Sequence, residues 1–216
     1  MNNNNNNPRG AVLRDPNFRW LIGGGAISGL GDQFTLIALP WLVLKLTNDP
    51  LTMGVIVALM GVPRAVFILF GGAIVDSYSP KRVLMLTKYA NTVLLGLLAA
   101  MVLSGEAHLV WILPIALGIG LAAAFSIPSG TSLMPHVIAP EHLHVANGMM
   151  MGVRQVTMLA GPLLAALLFA LGGDGSTGMH DAKGLGLAFA FDCFSFIVSA
   201  WTLSKVQAHA VPAAPK

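Results

Sequence analysis

The stretch GGAIVDSYSPKRV, Gly71 to Val83, joins two long apolar runs through an acid, a proline and two adjacent bases. Three readings compete for it: a phosphate-cradling loop, a surface linker, or a hinge between membrane helices. Its lysine lacks the glycine-rich spacing that lets backbone amides surround a phosphate, and no strand pattern precedes it. A bilayer is crossed by about 20 apolar residues in a helix, and the runs on both sides are of that kind. The hinge is the reading that fits its surroundings.

Composition agrees. Of 216 residues, 55% are hydrophobic and 10% charged, with mean hydropathy +0.73. Soluble domains carry about 25% charged residues, because a wetted surface needs them. The chain therefore reads as an all-α integral membrane protein whose first partner is the lipid bilayer. A pI near 9.3 does not indicate nucleic acid, since the bases are scattered and form no stripe with aromatics. The single cysteine, Cys193, sits in an apolar run and excludes an intrachain disulfide.

Six segments are long and apolar enough to span: 19–46, 52–76, 83–104, 109–134, 144–171 and 184–203. Residues 1–17, with six consecutive asparagines, form a disordered polar tail; 18–204 form the membrane domain and 205–216 a cytoplasmic tail. Connections are short except GGDGSTGMHDAK at 172–183. Lysine and arginine set orientation. With a cytoplasmic N-terminus the inner face holds Arg9, Arg14, Arg19, Lys81, Arg82, Lys88, Lys205 and Lys216, and the outer face only Lys45 and Lys183. Both termini are expected in the cytoplasm, of a plasma (bacterial inner) membrane. Trp20, Trp41, Trp111 and Trp201 fall near the expected interfaces, and Pro40, Pro63, Pro114, Pro128 and Pro162 lie within spans.

Four charged residues fall deep inside spans: Asp32, Arg64, Arg154 and Asp192. Each costs about 2.5 kcal/mol or more at a helix centre, so each should pair or face a cavity. Gly25, Ser28, Gly29 and Asp32 share one small, polar helix face. Asp32 is a candidate proton or cationic-substrate site, and Arg64 and Arg154 belong with it on the pathway. A clamp between helices is the competing reading for all four, and it is preferred for Asp192, which shares a stripe with Ser195 and Ser199. The second and fifth spans share a pattern, Arg64 seven residues before Gly71 and Arg154 seven before Gly161. These two spans correspond in a three-plus-three inverted repeat.

Enzyme signals are missing: HExxH and GxSxG do not occur. His142 and His144 lack a third ligand cluster, so no metal, no cofactor and no catalytic residue is expected.

The sequence resembles the N-terminal six-helix half of the major facilitator superfamily, over about 18–204. Within it the chain looks closest to bacterial drug and siderophore exporters of the macrolide-efflux or enterobactin-exporter kind. Gly72, Asp76, Lys81 and Arg82 match the superfamily's loop between helices 2 and 3, with Ser77 in place of a base and Ser79 in place of a glycine. GDQFTLIALPWLVLKLT (31–47) is similar to the first helix of these exporters. Gly161 and Pro162 resemble the start of the antiporter motif GPxxGG, whose last glycines are here Ala165 and Ala166. PSGTSLMPHVIAPEHLHVANG (128–148) and LAFAFDCFSFIVSA (187–200) support the match. The resemblance implies a proton-coupled exporter of amphipathic small molecules, with Asp76 latching two six-helix halves together. A homodimer or a second half would complete the cavity. The alternative is a truncated or split half that transports nothing itself and acts as a remnant or assembly partner.

Overall fold

The computed structural model describes residues 8–172 and 183–207, with the side chains of 8, 68–77 and 170–172 outside the description. Gly72 and Asp76 of the loop motif fall there, as does most of the glycine-rich stretch after residue 172. The helices are α1 (Pro8–Arg14), α2 (Pro16–Thr47), α3 (Pro50–Ser77), α4 (Pro80–Ser104), α5 (Leu109–Leu133), α6 (Leu143–Gly172) and α7 (Lys183–Lys205). Six of them, α2 to α7, are long and apolar enough to cross a membrane, and the described residues contain no strand. The fold is an all-α bundle of spanning helices.

Local signals set the ends. Asp15 accepts the N–H groups of Asn17 (2.8 Å) and Phe18 (3.4 Å), and Pro16 opens α2, which starts the helix earlier than the apolar run alone suggests. Asn48 closes α2 in the left-handed region at φ 52°, its N–H on the Leu44 carbonyl. Directly after it, Asp49 caps α3: its carboxylate accepts from the Leu51 N–H, the Thr52 N–H and the Thr52 hydroxyl. The adjacent spans thus turn on two residues. The prolines inside α2, α3, α5 and α6 leave each helix continuous; neighbouring helices and local adjustments take up the freed carbonyls. α1 lies within the stretch read as polar tail, and its Val12 is buried in the bundle's lower core.

α7 is the most buried span, packed on α2 and α4; α4 also packs on α5, α5 on α3, and α2 on α6. Exchanging α2 with α5, α3 with α6 and α4 with α7 reproduces this pattern of partners. That is the relation expected of a three-plus-three repeat. The least buried spans are α3 and α6, which the exchange relates.

Two apolar cores lie along the bundle. One gathers Phe34, Leu42, Leu98, Ile112 and Phe189; the other gathers Phe18, Leu84, Leu133 and Leu203. Between them along α2, α4 and α7 come Ser28, Lys88, Asn91, Asp192, Ser195 and Ser199, all buried. A polar layer therefore separates two dry ones. Around the outside, Trp41 and Trp111 are exposed, while Trp20 and Trp201 meet edge to face at 5.3 Å.

Lipid supplies no hydrophobic drive between helices, so close approach matters. Where α5 crosses α3, a Cβ on Gly120 would stand 2.7 Å from the carbonyl oxygens of Leu59 and Met60. Backbone cannot yield as a side-chain tip can. Gly120→Ala should separate the two helices and cost about 1–3 kcal/mol, read as a lower thermal midpoint in detergent, whereas Gly130→Ala, with open space around it, should not.

The Asp49 cap gives a pH test. Hydrogen bonds to Thr52 first, then Leu51, hold its carboxyl below the ordinary value of 3.8. A depressed folded-state pKa stabilises the cap fully above 3.8, and that contribution is lost as pH falls through the lower folded value. Amide exchange at Leu51 and Thr52, corrected for intrinsic rates, should lose protection in acid. Asp49→Ala should show that loss already at neutral pH.

Candidate functional site

A cavity of about 1100 Å³ opens along the bundle between α2, α3, α5 and α6, with α4 and α7 forming its back wall. Asp32, Arg64 and Arg154 all line it and are all exposed to it. So do Gly25, Ser28 and Gly29, the small polar face of α2. All six spanning helices thus bring charge or polarity to one space, α5 through Ser126 and Thr131, and a single hydrogen bond there joins positions 171 residues apart.

The back wall holds a cation that the sequence reading assigned to the cytoplasmic surface. Lys88 is 8% exposed, one of the buried residues of α4, and it lines the cavity. This corrects its place in the orientation count: two turns into a helix is about 12 Å along the axis, too far for a loop. Its ammonium donates to Ser28 Oγ at 3.0 Å and stands 5.0 Å over the Phe196 ring. Ser28 Oγ also accepts from Ser199 (3.4 Å) and donates to the Gly25 carbonyl (3.4 Å). One hydroxyl therefore ties α2, α4 and α7 together.

Lys88 lies in the field of both acids, Asp32 and Asp192, and Arg64 is a second cation acting on Asp32. Among the described residues these charges face one another without closing a direct ion pair. The acids differ in environment. Asp192 is 1% exposed and accepts the Thr35 hydroxyl at 2.5 Å and the Ser195 hydroxyl at 3.1 Å. Gly31 sits against it, and any Cβ there would overlap the carboxylate. This is a clamp between α2 and α7. Asp32 has no such hydroxyl partners among the described residues and faces open space. One acid holds the helices, and the other is available to a solute.

Arg154 has no side-chain partner among the described residues. Asn91, one turn beyond Lys88 on α4, is 5% exposed, lines the cavity, and its Oδ1 meets no hydrogen-bond donor among the described residues. Gly161 is buried against Gln33, the neighbour of Asp32, which fits the close approach of α6 to α2; Pro162 follows it, exposed. Lys81 is drawn to α7: its ammonium donates to the carbonyls of Val206 (2.6 Å) and Ser204 (3.4 Å), a cation at a helix C-terminus. Arg82 is exposed. His144 lines the cavity rim, and no group of three metal-ligating side chains occurs among the described residues.

Lys88, Asn91 and Thr35 were not singled out from the sequence. Their signal was present: a Lys-x-x-Asn pair on one face of an apolar span. It is ambiguous because a lysine near a span end can equally reach the membrane surface along its flexible stem.

Six membrane-length helices around a charged, solute-sized cavity define a bundle of the transporter kind. The chain matches the Major Facilitator Superfamily over residues 21–215 and belongs to it. It is an integral membrane protein of a family of membrane transporters. No curated protein matches it.

The clamp is testable. Thr35→Val removes the donor of the shortest hydrogen bond to a buried carboxylate and should cost about 1–3 kcal/mol, measured as thermal unfolding in detergent. Thr35→Ser keeps the hydroxyl and should stay near the wild type. Equal stability of the valine variant would mean the acid is not held there.

Proposed function

We propose that the protein is a secondary active exporter of amphipathic small molecules, driven by proton antiport, with Asp32 as the proton-responsive group. The observation that carries this reading is an acid midway along α2, open to the cavity and acted on by two cations, Lys88 and Arg64. A carboxylate so placed has two states that matter to its neighbours. Charged, it accepts hydrogen bonds from a solute's donors; protonated, it no longer offers that charge. A proton and a solute then compete for the one carboxylate, so that loading one releases the other, as antiport requires, without any covalent step, and no catalytic chemistry is required of the site.

Alternating access needs a second bundle against which this one can rock. The low burial of α3 and α6 favours a partner there, either a second six-helix half or another copy of this chain. In that assembly Gly72, Asp76, Lys81 and Arg82 form the latch, with Asp76 reaching the partner and Lys81 already engaged with α7. Gly161 and Pro162 set the approach of α6 to the Asp32 segment. With Lys88 withdrawn to the cavity, basic residues still favour one face by seven to two, which supports cytoplasmic termini in a bacterial inner membrane.

Cells expressing the protein and loaded with fluorescent amphiphiles of each charge type provide the test. Export of at least one type should rise with the imposed proton gradient. Asp32→Asn, expressed and inserted normally, should lower the initial rate roughly tenfold or more, equivalent to ~1.4 kcal/mol, and should remove the pH response. A variant with an intact pH response would eliminate Asp32 as the coupling group. Wild-type cells that export none of the amphiphiles would eliminate the exporter reading.

A further inference from the structure

The balance of charge in the cavity is not neutral. Arg64, Lys88 and Arg154 supply three cations against Asp32 and Asp192, and His144 at the rim adds no negative charge. Asp192 is committed to Thr35 and Ser195. Asp32 lines the same cavity as Lys88 and Arg64 and lies in the field of both. This leaves Arg154, exposed to the cavity on α6, without an acid to answer it. A guanidinium presents a planar fork of donors that fits a carboxylate or sulfonate better than any neutral acceptor.

A second feature is independent of charge. Asn91 Oδ1 is buried on the back wall, and no donor among the described residues reaches it. A buried acceptor left unpaired costs about 1–3 kcal/mol; turning the Asn91 amide toward the cavity it lines would let a solute's hydroxyl relieve that cost. The rest of the lining is largely apolar and includes Leu36, Met60, Met150, Met151, Met158 and Phe196. Methionine side chains adapt to irregular apolar shapes.

We infer that the cavity takes an anionic amphiphile, with its acidic group held at Arg154 and a hydroxyl donor at Asn91. The inference rests on the transporter reading of the same cavity and names its substrate class. Lys88 has a different part. Its ammonium already stands over Phe196 on a cavity wall that also holds both acids, where a solute cation would otherwise be favoured. A tethered cation there disfavours cationic solutes and selects for anions.

Equilibrium binding, measured on the full chain in nanodiscs of neutral lipid with empty nanodiscs as the blank, tests this without requiring transport. Three ligands share one skeleton. Cholate has a carboxylate and hydroxyl donors; dehydrocholate keeps the carboxylate but has ketones in place of the hydroxyls; methyl cholate keeps the hydroxyls without the charge. Cholate should bind most tightly. Arg154→Gln should weaken cholate about tenfold, to the level of methyl cholate, and leave methyl cholate unchanged. Asn91→Leu should weaken cholate roughly fivefold, to the level of dehydrocholate, and leave dehydrocholate unchanged. Unchanged binding of the ligand that lacks the deleted contact certifies that each variant is folded. Should Asn91→Leu not fold, Asn91→Ser, whose shorter side chain withdraws the acceptor, must show the same pattern. The proposal is overturned if methyl cholate binds the wild type as tightly as cholate does, if the hydroxyl preference survives loss of the Asn91 acceptor, or if none of the three binds. A chain that binds in the stated order yet moves nothing would overturn the export reading and leave this one standing. Export restricted to cations would do the reverse.

Discussion

The arrangement depends on one hydrogen bond, from the Thr35 hydroxyl of α2 to the Asp192 carboxylate of α7, at 2.5 Å. In lipid, helices are not driven together by water, and packing and polar contacts must do it. A carboxylate buried to 1% exposure has no alternative partner in hydrocarbon, so it stays with the hydroxyls that reach it. Gly31 opposite leaves the room that the carboxylate fills. With α2 and α7 joined there, α4 docks on α7, and Lys88 arrives beside Ser28. The back wall of the cavity follows from that contact.

The polar layer this creates lies between two apolar cores, as a membrane transporter requires. Dry packing at both ends keeps the helices in register, and the polar middle keeps charge where a solute can meet it. The two acids divide the work because their surroundings differ. Asp192 is satisfied by hydroxyls and is structural; Asp32 is open to the cavity. The division resembles that seen wherever two like groups are set apart by environment rather than by type.

Much of the fold was legible in the sequence because the bilayer simplifies it. Long apolar runs have one stable solution in lipid, so the spans from Trp20 to Trp201 could be placed to within a few residues. The structure sets their ends slightly further out, through the local caps Asp15-Pro16 and Asn48-Asp49-Pro50. Asp32, Arg64 and Arg154 stood out as charges in apolar runs, and all three line the cavity. Lys88 was missed for a physical reason. A base two turns inside a span can snorkel to the surface or turn inward, and only its neighbours decide which. Ser28 on α2 and Phe196 on α7, far away in sequence, decided it. Asn91 was missed because an amide in a helix gives no sign of whether its oxygen will find a donor.

By itself, then, the sequence determined a membrane bundle of six apolar spans with charges in its interior and a resemblance to half of a transporter family. Those properties depend on composition and on signals a few residues apart, which the bilayer and the helix read directly. The tertiary structure decided which charges meet. It made Asp192 a clamp and Asp32 a cavity acid, turned Lys88 inward, and left Arg154 and the Asn91 oxygen without a side-chain partner among the described residues. Such assignments depend on pairwise distances between helices, and in a hydrocarbon interior a few ångströms separate a satisfied group from an unsatisfied one.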